Sequence, residues 1–134
     1  MTIKKRYLRI AHLLFIALLL IQLLPDQSTK AVYTSYLVRF AVGVEVIVLA
    51  ASAIIKKEES LALLVDIAGF VYVLLAVWSL ATAKYNYLND LLFPAPGKVI
   101  HQFVVDKDKI FINIKSSLRT TLKGFLLATA IAVP

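Results

Sequence analysis

The sequence predicts an all-α, polytopic membrane protein with three complete transmembrane helices, an interfacial amphipathic helix and the start of a fourth crossing. Three observations carry that prediction. The 134 residues are 60% hydrophobic, against roughly 45–50% in globular proteins. The apolar residues gather in runs close to the about 20 residues needed to cross a bilayer. Basic residues sit at the ends of those runs, at Lys4, Lys5, Arg6 and Arg9, at Lys56 and Lys57, and at Lys115, Arg119 and Lys123. A chain this short has too small a core to hide such runs; lipid accommodates them.

The formal charge is +7, from 15 Lys and Arg against 8 Asp and Glu. The basic residues flank apolar segments and do not share a polar face with interleaved aromatics. That placement suits anionic headgroups and topology, and argues against nucleic acid as a partner. The chain has no cysteine, which excludes disulfides, thiolate zinc sites and cysteine nucleophiles.

Segment one runs from about Leu8 to Leu24 behind the basic start MTIKKR. No small-x-small cleavage pattern follows it, so it reads as an uncleaved helix ending at Pro25. Pro25-Asp26-Gln27-Ser28 is a polar turn, because proline cannot donate to the helical ladder. Segment two runs from about Val32 to Ile55 and is closed by Lys56-Lys57-Glu58-Glu59. Ser60 is placed to cap segment three, which runs from Leu61 to Ala83 and is long enough to span. Trp78, Tyr85 and Tyr87 near its far end read as an interfacial belt. Phe93-Pro94-Ala95-Pro96-Gly97 is a rigid turn, since both prolines fix φ. From Lys98 to Phe111, Val99, Ile100, Phe103 and Val104 fall on one helical face, with Lys98, His101 and Gln102 opposite. This predicts a helix lying on the membrane surface, broken by Asp106-Lys107-Asp108-Lys109. A fourth segment starts near Leu118, and its apolar run reaches Val133 before the final Pro134. The expectation is a fragment, the front part of a larger membrane protein.

Positive-inside bias places the N-terminus in the cytoplasm of a cell whose inner membrane holds the chain. Lys56 and Lys57 then return to the same side, and the connector from Lys84 to Lys115 lies outside. Lys107, Lys109, Lys115 and Arg119 contradict the rule, and the upstream helices are taken to dominate.

Ionisable groups within apolar runs are costly, at about 2.5–3.5 kcal/mol on insertion scales. Arg9 and His12 are expected to snorkel to the headgroups from the first turns of segment one. Asp66 is expected to reach the interface near the Lys56-Lys57 loop. Arg39 and Glu45 are six residues apart, so they do not share a helix face. Arg39 suits the outer surface. Glu45 lies deeper and needs a partner on another helix or a proton. A satisfied packing carboxyl is the first reading, and a proton or cation site the second. In segment four, Thr120, Gly124, Ala128 and Ala132 recur every four residues. Such a stripe lets helix backbones approach closely in lipid, so these are candidates for helix packing or for lining a pathway.

No phosphate-binding loop, His-Glu-x-x-His, Gly-x-Ser-x-Gly or Gly-x-Gly-x-x-Gly pattern occurs. His12 and His101 are the only histidines and lie far apart in sequence. Neither an enzyme nor a bound cofactor or metal is expected.

The stretches AVWSL, LLFPAPGKVI, SSLRTTLKGFLLATA and IAVP occur in this order over residues 65–134. Together they resemble the start of permease subunits of nitrate/taurine/sulfonate-type ABC importers. In that family a helix with a late tryptophan leads into a Leu-Pro-small-Pro loop. A short amphipathic helix follows, then a Ser-Leu-Arg pattern entering a small-residue-rich helix. Here Phe93 precedes Pro94 where leucine is more usual. The resemblance implies domains of 1–60, a two-helix membrane extension that matches nothing in the family, and 61–134, the start of the permease transmembrane domain. It further implies a permease homodimer, an ATP-binding subunit that hydrolyses ATP, and a periplasmic or extracellular solute-binding protein. The solute would be a small anion such as a sulfonate or nitrate. The family's Glu-Ala-Ala loop, which docks the ATPase, would lie downstream of Pro134. The alternative is a stand-alone four-helix accessory or regulatory membrane protein without transport activity.

Overall fold

Heptad spacing organises the helices that meet. In the computed structural model, which describes residues 3–28 and 30–133 with side chains from Leu8 onward, five α-helices follow one another and the described residues contain no strand. They are α1 (Ile3–Gln22), α2 (Thr34–Ile54), α3 (Glu58–Ser79), α4 (Pro96–Val105) and α5 (Lys107–Ala132). A π-helical turn, Leu80–Lys84, extends α3. The side chains of Lys4, Lys5 and Arg6, and Pro134 of the IAVP stretch, lie outside the described residues. The chain divides into two units, Met1–His101 and Gln102–Pro134.

In the first unit α1 packs mainly on α3, and α2 touches both. The buried positions of α3 are Leu61, Val65, Ala68, Gly69, Tyr72, Leu75 and Ser79. Gly69 apart, they alternate steps of four and three, the spacing of a seam between helices that supercoil gently about each other. Ala11 and Leu18 of α1, and Leu37, Ala41 and Val48 of α2, complete the core. Ala11, Ala41, Ala68 and Gly69 keep the helices close; a Cβ on Gly69 would meet Leu14 Cδ1 at 3.4 Å. The outward faces are also apolar, with Val46, Ile47, Leu63, Phe70 and Val77 exposed.

Two helices are long and apolar enough to cross a membrane, Thr34–Ile54 and Glu58–Lys84. The apolar part of α1, Leu8–Gln22, is shorter. The expected three complete spans therefore become two on length and composition.

Three boundaries differ from expectation. Ser60 does not cap α3. Lys57 stands at the cap without a side-chain bond, and Glu58 and Glu59 fill the first turn, where carboxylates favour the helix dipole. The expected interfacial helix ends at Val105, not Phe111, and α5 begins at Lys107, not near Leu118. Only Asp106 interrupts the two. Lys107, Asp108 and Lys109 are polar without being helix breakers, and Asp106 accepts from Lys109 Nζ at 3.1 Å and from the Gln102 amide. These two donors, Lys109 foremost, hold the Asp106 carboxyl below the usual aspartate range.

The polar side of the start of α4 is its docked side. Lys98 Nζ donates to Asp90 at 2.9 Å, and the His101 ring stacks on Tyr33 at 3.9 Å between centroids. Tyr36 meets His101 edge-on at 4.8 Å. Ile100 packs toward the core, while Phe103 and Val104 are exposed. Tyr33 adopts a left-handed φ of 52°, a strained state for an aromatic residue. Its carbonyl, together with that of Val32, comes so near the turn that a Cβ on Gly97 would lie 2.5 Å from both oxygens. Ala95, Pro96 and Gly97 are buried there, and Trp78 Nε1 donates to the Pro94 carbonyl at 2.9 Å.

Gly97→Ala is therefore expected to destabilise the first unit by about 1–3 kcal/mol, the usual cost of overpacking. The emission of Trp78, the single tryptophan, should report loosening of the turn. Gly43→Ala, with open space at its Cβ, should leave both readouts unchanged or gain stability from better helix propensity. The Lys98 ammonium bonded to Asp90, with Lys30 nearby at 3.6 Å, holds the Asp90 carboxyl below the usual aspartate range. Its stabilising effect is thus complete above the ordinary aspartate value of about 3.9, and is lost as pH falls through the lowered folded value. An acid titration followed by Trp78 emission should show a transition below that ordinary value, absent in Asp90→Asn.

Candidate functional site

Near the middle of the bundle, one polar residue from each of three helices meets. Glu45 of α2 is buried, on the same stripe as Leu37, Ala41 and Val48. Its periodic position turns the carboxylate inward, where an unpaired charge would be costly. Tyr72 of α3, fully buried, donates its hydroxyl to Glu45 Oε2 at 2.8 Å. His12 of α1 bonds through Nδ1 to Glu45 Oε1. The carboxylate thus accepts on both oxygens, once from each neighbouring helix. Phe15 covers Tyr72, with ring centroids 5.6 Å apart. The His12 side chain remains 34% exposed, against 10% for Glu45, so the trio grades from an accessible imidazole to a buried phenol.

His12, expected to snorkel from the first turns of its helix, is instead bonded to Glu45. α1 begins at Ile3, which moves His12 from its first turns to its middle. The partner that Glu45 requires is present in two copies, one of them a histidine. Arg39 stays at the exposed edge of α2, its guanidinium 5.6 Å from the Tyr36 ring centroid. Asp66 is exposed and lines a cleft of about 280 Å³ with Ile10, Ala11, Val65 and Phe70. Arg9 is exposed one turn before His12.

A second polar cluster ties the ends of α1 and α3. Lys84, in the π-helical turn, is 2% exposed. Its Nζ donates to the carbonyls of Gln22 and Leu24 at 3.2 and 2.8 Å and to Asp26 Oδ1 at 2.7 Å. These are carbonyls that the end of an α-helix leaves without partners. The Ala83 carbonyl accepts the Gln27 and Ser28 amides at 2.9 and 3.3 Å, and Gln22 exchanges hydrogen bonds with Ser79. The inserted residue of the π turn, closed by Tyr85 N–H to Leu80 O at 2.9 Å, aims Lys84 at the end of α1 and Ala83 at the turn that follows it. Such bulges often re-aim groups in this way. Among the described residues, every buried side-chain polar atom has a partner.

Thr120, Gly124, Ala128 and Ala132 all lie on α5, none of whose residues is buried. The Thr120 hydroxyl donates to the Ser116 carbonyl at 3.0 Å, and a Cβ on Gly124 would meet nothing. The stripe is thus continuous along one helix. Sequence reasoning missed Tyr72 and Lys84. Tyr72 carried a usable signal, as a hydroxyl in the middle of an otherwise apolar run. Lys84 read only as the first residue of the connector that follows that run.

The fold is an all-α bundle with two membrane-length helices and a central polar trio. No protein family, curated protein or solved structure matches the chain.

Lys84→Met keeps the aliphatic stem and removes the three bonds. Asp26 is half-exposed and can take up water; the two carbonyls lose a buried donor. The expected loss is about 1–3 kcal/mol by denaturation in detergent. Lys98→Met, at a more exposed pair, should cost at most about 1 kcal/mol. Equal losses would contradict the clamp assigned to Lys84.

Proposed function

We propose that this chain contributes to the membrane-embedded permease of an ABC importer. In this reading residues 61–134 begin the permease transmembrane domain and residues 1–60 are a two-helix extension. The observation that carries it is an ordered series: α3 with Trp78 near its end, the turn at 94–97, buried at Ala95, Pro96 and Gly97 and bonded to Trp78 through the Pro94 carbonyl, the short α4, and the long α5 with its small-residue stripe. That is the series the permease resemblance calls for. The exposed apolar faces of α2 and α3 support lipid as their surroundings, since soluble proteins seldom expose contiguous apolar surface on this scale.

The proposed topology places α1, α2 and α3 across the inner membrane, with a cytoplasmic N-terminus and α4 at the outer surface. α5 re-enters, and its stripe of Thr120, Gly124, Ala128 and Ala132 packs against protein beside the pathway. A permease homodimer would line the route of a small anionic solute. An ATP-binding partner would drive alternating access, and a solute-binding protein would deliver the cargo. A stand-alone accessory membrane protein is the second reading, favoured by the complete core within Met1–His101.

The cysteine-free sequence makes topology testable by single cysteines at positions 27, 57 and 89. Impermeant maleimide on intact cells should label 27 and 89, and 57 only after lysis. Labelling of all three from one side would overturn the membrane topology. In the assembled importer, Gly124→Leu should lower sulfonate or nitrate uptake about tenfold or more, a packing loss of roughly 1–2 kcal/mol in lipid, while the labelling pattern persists. Unchanged uptake would favour the accessory-protein reading.

A further inference from the structure

We propose that His12, Glu45 and Tyr72 form a buried proton-binding site shared by three helices. The inference rests on the membrane placement of α1–α3 given above and is independent of the permease assignment, because its readouts need no transport. Charge counting carries it. With neutral imidazole donating from Nδ1, the trio holds one negative charge in the bundle interior. One proton taken from water onto His12 Nε2 makes the ring an imidazolium against the carboxylate, and the trio becomes neutral. No other bond changes. Burial favours the neutral assembly, since an uncompensated charge is the costly state. Imidazole is the side chain whose ordinary titration falls between about pH 5 and 8, and the partial exposure of His12 gives the proton a way in.

The groups facing Glu45 are His12 from α1 and Tyr72 from α3. Along those helices the next charged residues are Arg9, exposed on α1, and Asp66, exposed beside Ile10 and Ala11. His12 and Glu45 provide only two groups suited to a metal, and Tyr72 arrives as a donor, so a proton fits the site where a cation would not.

The test uses the full chain in nanodiscs of phosphatidylcholine and phosphatidylglycerol. ¹⁵N-histidine NMR resolves two rings, and the His101→Gln variant assigns His12. In the wild type, the imidazolium signal of His12 should disappear reversibly as pH rises. In Glu45→Gln, which keeps hydrogen-bond acceptance but not the charge, the proton affinity of His12 should fall about tenfold or more, the usual effect of losing an adjacent opposite charge. A His12 ring that never binds a proton, or one whose affinity is unchanged in Glu45→Gln, overturns the proposal. Should Glu45→Gln fail to fold, the wild type alone decides. There the His12 signal itself is the readout: a ring that stays neutral down to the pH at which the bundle unfolds overturns the proposal. Cysteine labelling judges the membrane placement separately, so the two failures are distinguishable.

Discussion

A polar group inside an apolar helix bundle has to find its partner on another helix, and that requirement governs the first unit. Glu45 cannot pair within α2. Its two oxygens are answered by His12 on α1 and Tyr72 on α3. Those two bonds fix rotation and register together. A helix residue turns by about 100°, so a slip of one position would carry the carboxylate off the seam and leave the buried Tyr72 hydroxyl without its acceptor. Such penalties are larger than the bonds' own net gain. The trio therefore selects one arrangement of three helices from many that their apolar faces alone would tolerate.

Those apolar faces give little selection by themselves. Both the inward and outward sides of α2 and α3 carry Val, Leu, Ile and Phe. In lipid, hydrophobicity does not distinguish inside from outside, and close packing with interhelical hydrogen bonds does. The buried positions reflect this. Ala11, Ala41, Ala68 and Gly69 line the seam where backbones approach, whereas Phe70 and Leu63 point away.

Much of this was legible beforehand. The positions of α2 and α3 follow from apolar runs bounded by Lys56-Lys57 and by the polar connector that starts at Lys84. Glu45 was recognisable as an acid needing a partner elsewhere. Its partners were not recognisable, because His12 lies 33 residues away and one sequence does not say which helix faces meet. His12 was further misplaced because the basic start was read as lying before the helix, not within it. The break between α4 and α5 was misjudged for a different reason. Alternating Asp and Lys looks like a loop by polarity, yet pairs of this kind support a helix. Lys98, His101 and Gln102 were read as the side of α4 opposite its apolar face, whereas Lys98 bonds to Asp90 and His101 stacks on Tyr33.

The polar clusters of the first unit differ in what could replace them. Asp90 with Lys98, Lys84 with Asp26, and Trp78 with Pro94 all sit at one end of the bundle, where helices finish and chain turns. If such a bond opens there, water can stand in for the missing partner, at least for Asp26 and Lys98, which are half-exposed. They fasten the ends without demanding a particular charge state. The trio at Glu45 lies midway along three helices, with Tyr72 beyond the reach of solvent. Its only route to neutrality is a proton. A purely structural device in that place could have been a set of well-packed apolar residues on all three helices at lower cost. Retaining an acid beside the one side chain that ordinarily titrates near neutral pH is the arrangement expected where charge itself is used.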